Sequence, residues 1–306
     1  MNRAAERGPG RRTLLRAAAG LGGLAVVGAG ASAAMAEDVL PGGVRLRRAL
    51  GMTGTDGTVP RIPAGPVRST DLHSAARGTT VRMITMLPPG AGLRAADLPV
   101  CVALHGRGGD AQSMADLGLP QFLAAAVAAG APPFALVAVD GGADTYWHAR
   151  TPADDPQRML VSELPGWLAA QGLRTPGGAL GISAGGSGAL RYARNRGAGF
   201  GPVALLSPAL FRSWPDARTI DGFRDEADWR DHEPLLHLGE PHGRPLGVWC
   251  GTEDPFCPAA RVLRAGAAVA RFPRGEHTGG FWRRMLPEAV PFLGHALQAL
   301  PAPTAS

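Results

Sequence analysis

Ser183 stands between two glycines in Gly181-Ile182-Ser183-Ala184-Gly185, and the carboxylates Glu253 and Asp254 and then His277 follow it along the chain. A serine hydroxyl is a weak nucleophile at neutral pH. It needs an imidazole to take its proton and a third group to hold that imidazole in the working tautomer. Ser, acid, His is the chain order associated with a serine exposed on a sharp strand-to-helix turn. The five-residue pattern alone says little: scattering ten Ser and 44 Gly through 306 residues gives about 0.2 matches by chance, so context must carry it. Here a short apolar run precedes the motif and Gly186-Ser187-Gly188-Ala189-Leu190 follows it, a small-residue helix start able to approach a sheet closely. Asp254, at the turn before Pro255, is the candidate orienting acid. Glu253 would then point elsewhere. His73, His232, His237, His242 and His295 do not follow strand ends that could reach Ser183 and read as surface or packing residues.

An acyl-transfer site also needs donors for the developing oxyanion, most often backbone N–H groups fixed in place before reaction. Ala184 supplies the amide directly after the serine. Arg107, within His105-Gly106-Arg107-Gly108-Gly109, supplies the second candidate, because the glycines let backbone approach a substrate. A phosphate-binding loop would require GxxxxGK[ST], which a chain without lysine cannot provide. The stretch from Asp140 through Tyr146-Trp147-His148 follows another strand end, where it would either line the pocket, with His105, Trp147 and His148 as the expected substrate contacts, or serve in aromatic packing. No cofactor is expected, and no Cys or His spacing suggests a metal site.

These residues need a scaffold that brings strand ends together. Apolar runs at 99–104, 134–139, 179–182, 203–206 and 246–250 are each too short for a buried helix and are flanked by turn residues. Between them lie helical stretches at 120–129 and after Asp155, where Leu160, Val161, Leu164, Trp167 and Leu168 share a face that Pro165 makes imperfect. Strands separated by helices imply right-handed crossovers, hence a mostly parallel α/β sheet with helices on both faces and a ligand crevice beyond the carboxyl ends of its strands. Runs at 67–73 and 79–86 predict an antiparallel pair at the N-terminal edge. The interval 208–244, with Trp214 and Trp229, is long enough for a small cap. The expected hydrolase domain spans 65–300, after a lead-in at 37–64 and before a short tail at 301–306.

Charge is concentrated at the front of the chain. Of 31 basic and 25 acidic residues, the first 36 hold five Arg against Glu6 alone, leaving 26 against 24 in the remainder. A near-neutral body argues against nucleic-acid binding. Arg11-Arg12-Thr13-Leu14-Leu15, the Ala/Gly-rich stretch after it and Ala34-Met35-Ala36 have the layout of a twin-arginine export signal cleaved near Ala36. The expectation is a secreted, periplasmic or cell-envelope protein that meets the twin-arginine machinery and keeps no stable membrane anchor. Cys101 and Cys250 read as buried fillers, while Cys257 could pair with Cys250 across a short loop.

The segment 181–190, the His-Gly-x-Gly-Gly loop at 105–109, and Gly-x-His at 275–277 with Phe281-Trp282-Arg283 together resemble the putative-esterase branch of the α/β hydrolases. That branch includes esterase D, feruloyl and acetylxylan esterases, and the mycolyltransferases. The resemblance covers roughly 66–300 and implies the α/β-hydrolase fold, Ser183, Asp254 and His277 as triad, and Arg107 and Ala184 as oxyanion donors. The chain departs from many relatives in carrying Thr278, not Asp, after the histidine. The leading expectation is hydrolysis of a carboxylic ester, small or borne on a glycan or lipid. Alternatives are acyl transfer to a sugar or lipid alcohol by the same triad, and a secreted binding protein that keeps the fold without catalysis. A histidine base works only when neutral, so activity is expected to rise through about pH 6 to 7.

Overall fold

The computed structural model describes residue 51 and residues 53–197, 199–238 and 245–300. The short apolar runs form one eight-stranded sheet: β1 (Val67–Ser74), β2 (Thr79–Met86), β3 (Val100–Leu104), β4 (Ala135–Val139), β5 (Gly178–Ile182), β6 (Val203–Leu206), β7 (Leu246–Trp249) and β8 (Val269–Arg271), in spatial order β1-β2-β4-β3-β5-β6-β7-β8. β1 runs antiparallel to β2, and β2 antiparallel to β4. Every pairing from β4 to β8 is parallel.

Helices cover both faces: α1 (Ala111–Asp116), α2 (Leu119–Ala128), α3 (Leu164–Ala170), α4 (Ala184–Arg196), α5 (Glu226–His232) and α6 (Gly279–Gln298), with shorter helical turns between them. Along β3, Val100, Val102 and Leu104 enter one apolar cluster and Cys101 and Ala103 the other, the period-two alternation of a strand buried on both sides. The first cluster takes Leu164 and Leu168 of α3 with Ala189 and Tyr192 of α4. The second takes Phe122 and Leu123 of α2 with Phe281, Leu286 and Leu293 of α6.

Local chemistry sets the element ends that matter for the site. α1 starts in a capping box, with Asp110 accepting from Ser113 N at 2.7 Å and Ser113 Oγ accepting from Asp110 N at 3.1 Å. α6 is capped by Thr278, whose hydroxyl accepts from Phe281 N at 3.2 Å, so the residue before the cap, His277, leaves the helix at a fixed point. α6 carries Pro287 and Pro291 in its interior. Each proline lacks a donor for the preceding turn, a defect of about 3 kcal/mol or more in an isolated helix. The buried stripe from Phe281 to Leu297 holds this one in place. The helix expected after Asp155 is broken into three: a turn at Pro156–Arg158, a π-helical turn at Met159–Glu163, and α3 with Pro165 in its first turn, where a missing N–H does least harm.

The segment before 65 is already packed on the domain from residue 55: Arg284 donates to Thr55 O at 2.9 Å and Gly57 N to Gly280 O at 2.8 Å. The export signal expected at 1–36, the tail at 301–306 and residues 239–244 of the expected cap lie outside the described residues. Among the described residues no helix is long and apolar enough to cross a membrane.

Candidate active site

β5 runs straight into α4, and Ser183 at the junction is held at φ 55° and ψ −122°. That backbone conformation is costly for any residue with a Cβ and survives only where surrounding structure imposes it. Packing imposes it here. A Cβ on Gly181 would stand 2.2 Å from Gly185 O, and one on Gly185 would stand 2.0 Å from Leu104 O at the end of β3. Neither position has room for a side chain, so strand, turn and helix close on one another and lift the serine out of the turn. The next strand end joins the same junction: a Cβ on Gly106 would lie 3.2 Å from Ser183 Cβ, which puts the loop after β3 directly against the serine.

Two other loops complete the arrangement. The Ser183 hydroxyl donates to His277 Nε2 at 2.8 Å, and His277 Nδ1 donates to Asp254 Oδ2 at 2.9 Å. Asp254 follows β7, its side chain fully buried, and its second oxygen accepts from Phe256 N at 2.9 Å, which fixes the carboxylate plane. Glu253 turns the other way and accepts from Gly275 N at 2.5 Å, tying the acid loop to the histidine loop. The His277 ring meets Phe256 and Trp282 edge to face at 5.1 and 5.3 Å. Its side chain retains 25% exposure, so the imidazole lies at the border between core and solvent.

Ala184 is the first residue of α4, where a backbone N–H has no acceptor in a preceding helical turn. In the loop after β3, Gly108 N donates to Ala143 O at 2.8 Å and Gly109 N to Gly106 O at 3.1 Å. The Arg107 amide has no hydrogen-bond acceptor among the described residues. The Arg107 side chain is engaged away from the serine, with Nε on Asp144 at 3.1 Å and Nη1 on the carbonyl of Ile220.

The three expected substrate contacts require correction. His105, Trp147 and His148 are each about 1% exposed and belong to the frame beneath the site. His105 Nδ1 donates to Gly106 O at 2.8 Å while its Nε2 accepts from Gly141 N at 2.9 Å, joining the loop after β3 to the loop after β4. Burial lowers its pKa, in keeping with a neutral ring used at both nitrogens. Trp147 donates to His105 O at 2.9 Å, and its ring covers Gly141 and Gly188, where a Cβ would come within 2.5 Å. Tyr146 and Trp147 both have positive φ, 51° and 60°, and this double turn sends the indole inward. His148 is buried beside Asp228 and His232 of α5, its Nε2 3.4 Å from Asp228 Oδ2.

His232, expected at the surface or in packing, shares that buried group, as does Arg191, which donates from Nε to His232 O at 2.5 Å and from Nη1 to Tyr146 O. Sequence did not single out Asp228 or Arg191, because the contacts that tie them to the loop after β4 reach across 80 residues to His148 and 45 residues to Tyr146. The described part of 208–244 folds as short helices around a third apolar cluster of Tyr146, Ala184, Phe211, Phe223 and Trp229. An aromatic wall therefore adjoins the residue after the serine. A separate apolar cavity of about 350 Å³, lined by Leu190, Leu238, Leu246 and Val262, contains none of the Ser183, Asp254 and His277 groups. Cys101, Cys250 and Cys257 are free and buried.

Comparison with solved structures agrees with the architecture. A ferulic acid esterase superposes with a TM-score of 0.63 at 17% identity, over 77% of this chain and 100% of its own. An S-formylglutathione hydrolase from Agrobacterium tumefaciens gives 0.61 at 16% identity, over 78% and 98%. MPT51 of Mycobacterium tuberculosis gives 0.59 at 21%, over 78% and 100%. At these identities the likeness speaks to the fold, which is that of the α/β hydrolases. No curated protein sequence matches the chain. The sequence profile described as putative esterase matches residues 74–293, most of the chain, and spans the elbow serine, the acid and the histidine. The chain belongs to the putative-esterase family.

Proposed function

We propose that the protein is a serine esterase that cleaves carboxylic esters through an acyl-enzyme on Ser183. The observation that carries the proposal is the unbroken path from Ser183 Oγ to His277 Nε2 at 2.8 Å and from His277 Nδ1 to Asp254 Oδ2 at 2.9 Å. In the first half-reaction Ser183 Oγ attacks the ester carbonyl carbon and its proton passes to His277 Nε2. The carbonyl oxygen becomes an oxyanion held by the amides of Ala184 and Arg107. Collapse of the tetrahedral adduct breaks the bond to the alcohol oxygen, which leaves with the proton from His277. Water then attacks the acyl carbon, giving one proton to His277, and the acid departs as the proton returns to Ser183. Asp254 stays ionised throughout and stabilises the imidazolium.

A fluorophosphonate probe tests the assignment. It should label the protein once, at Ser183, and leave the Ser183→Ala variant unlabelled. Labelling at another serine, or full turnover by that variant, would overturn the proposal. We further propose export by the twin-arginine route, supported by Arg11-Arg12 and the Ala/Gly stretch that ends at Ala36. Sequencing the mature N-terminus tests this, with a start near Glu37 expected and an intact Met1 on exported protein contradicting it.

A further inference from the structure

Asp254 and His277 lie on different loops, one after β7 and the other after β8, so the 2.9 Å between them is only as firm as the join between those loops. Three hydrogen bonds make the join. Thr252 N donates to Pro273 O at 2.9 Å, Glu253 N to Gly275 O at 3.0 Å, and Gly275 N to Glu253 Oε2 at 2.5 Å. The third differs in kind, because a side chain stands where a backbone carbonyl would continue the ladder. The nearby carbonyl of Gly251 is turned instead to Asp254 N at 3.1 Å, within the turn that presents Asp254.

The contact is tight on both sides. A Cβ on Gly251 would stand 2.0 Å from Gly275 O, and one on Gly275 would stand 2.2 Å from the ring of Phe281. Gly275 is buried, so loss of its acceptor would leave an unpaired donor in the interior, which either moves the loop or draws water into it. Three residues further on, Thr278 is fixed as the cap of α6. Only Glu276 and His277 lie between the two fixed points, so a shift at Gly275 passes directly to the imidazole.

We propose that Glu253 is a positioning residue for ester cleavage: its carboxylate oxygen holds the His277 loop where Nδ1 meets Asp254 and Nε2 meets Ser183. Glu253 touches neither the substrate nor the reacting atoms, and the proposal rests on the reading of Ser183, His277 and Asp254 as the working triad. Two adjacent carboxylates thus divide the labour. Asp254 orients the ring and stabilises its charge, while Glu253 places the backbone that carries it. The role requires an acceptor oxygen at the reach of a glutamate side chain, and it does not require negative charge.

Three substitutions separate reach from charge. Glu253→Gln keeps an acceptor oxygen at the same reach without the charge, Glu253→Asp keeps the charge but falls one methylene short, and Glu253→Ala has neither. Steady-state hydrolysis of an aryl ester should show kcat lowered about 10²-fold in the Asp and Ala variants, with KM within about twofold and the Gln variant within about threefold of the parent. Fluorophosphonate should label Ser183 more slowly in the Asp and Ala variants but still reach one label per chain, which counts folded sites. The downfield proton resonance of His277 Nδ1–H should be kept in the Gln variant and weakened in the other two. Activity kept by Asp and lost by Gln would overturn the proposal, as would parental kcat per labelled site in the Ala variant. If the Ala variant fails to fold, the contrast between Gln and Asp decides. Failure of the triad reading shows differently, as a parent that takes no label at Ser183, and the Nδ1–H resonance then still reports whether Glu253 sets the ring.

Discussion

The protein contains two histidine–aspartate pairs whose surroundings differ. His277 with Asp254 lies at the mouth of the sheet, the acid sealed and the imidazole a quarter exposed, with its free nitrogen on a serine hydroxyl. His148 with Asp228 lies under the short helices that follow β6, both side chains sealed, with guanidinium groups of Arg191 and Arg224 alongside. Both pairs place a carboxylate beside an imidazole. The first leaves the ring a group from which to take a proton and room to carry the resulting charge. In the second, burial and the neighbouring Arg191 guanidinium make an imidazolium unfavourable, so its ring serves as a neutral hydrogen-bonding partner and not as a base. A His–Asp contact is thus uninformative until the other ring nitrogen and the local charge are known.

The contrast can be broken or sharpened by substitution. The largest effect belongs to the exposed pair's hydroxyl: Ser183→Ala should lower kcat/KM for an aryl ester by about 10⁶-fold, measured by steady-state hydrolysis. Asp254→Asn should lower kcat by about 10⁴-fold with KM little changed, through the wrong imidazole tautomer. The corresponding change in the sealed pair, Asp228→Asn, should leave kcat within about tenfold and instead cost about 1–3 kcal/mol of folding stability through lost hydrogen bonds to a charged group. Urea unfolding followed beside the esterase assay separates the two outcomes, and a kinetic collapse without loss of stability would erase the distinction drawn above.

The smallest effect concerns pH and the acid that accompanies Arg191. Glu233 is fully buried, and burial raises it from 4.5 to about 7, against the pull of the Leu235 amide and Arg191. A carboxyl group that holds its proton more tightly when folded contributes stability below its unfolded value, and that contribution fades as pH rises through the folded one. Glu233→Gln keeps a neutral group at every pH. Its Tm relative to the parent should therefore climb between pH 5 and pH 8, whatever the offset from the amides of Phe211 and Leu235 that Glu233 accepts. A constant difference across that range would show that Glu233 does not titrate there.

The parts legible in sequence were those encoded locally. Short β-rich runs between turn residues mark the sheet, and Gly-x-Ser-x-Gly at a strand end marks the elbow, because close approach of strand and helix leaves no choice of residue at Gly181 and Gly185. The loop after β4 shows the limit. Its position beyond a strand end is readable, but the direction of its side chains follows from the positive φ of Tyr146 and Trp147, which nothing in the composition announces. Trp147 and His148 accordingly face the interior. The sealed pair was illegible for another reason: 80 residues separate its members, and only the return of α5 over α4 brings them together.

The close stacking of Gly185 on the carbonyl of Leu104 has a consequence for which parts of the molecule can vary. Because backbone meets backbone there, the start of α4 is held against the end of β3, and Ser183 against the loop that carries the Arg107 amide, with no side chain between them. Segments over the mouth can then be lengthened, shortened or rewritten while the spacing of Ser183 and the loop after β3 is kept.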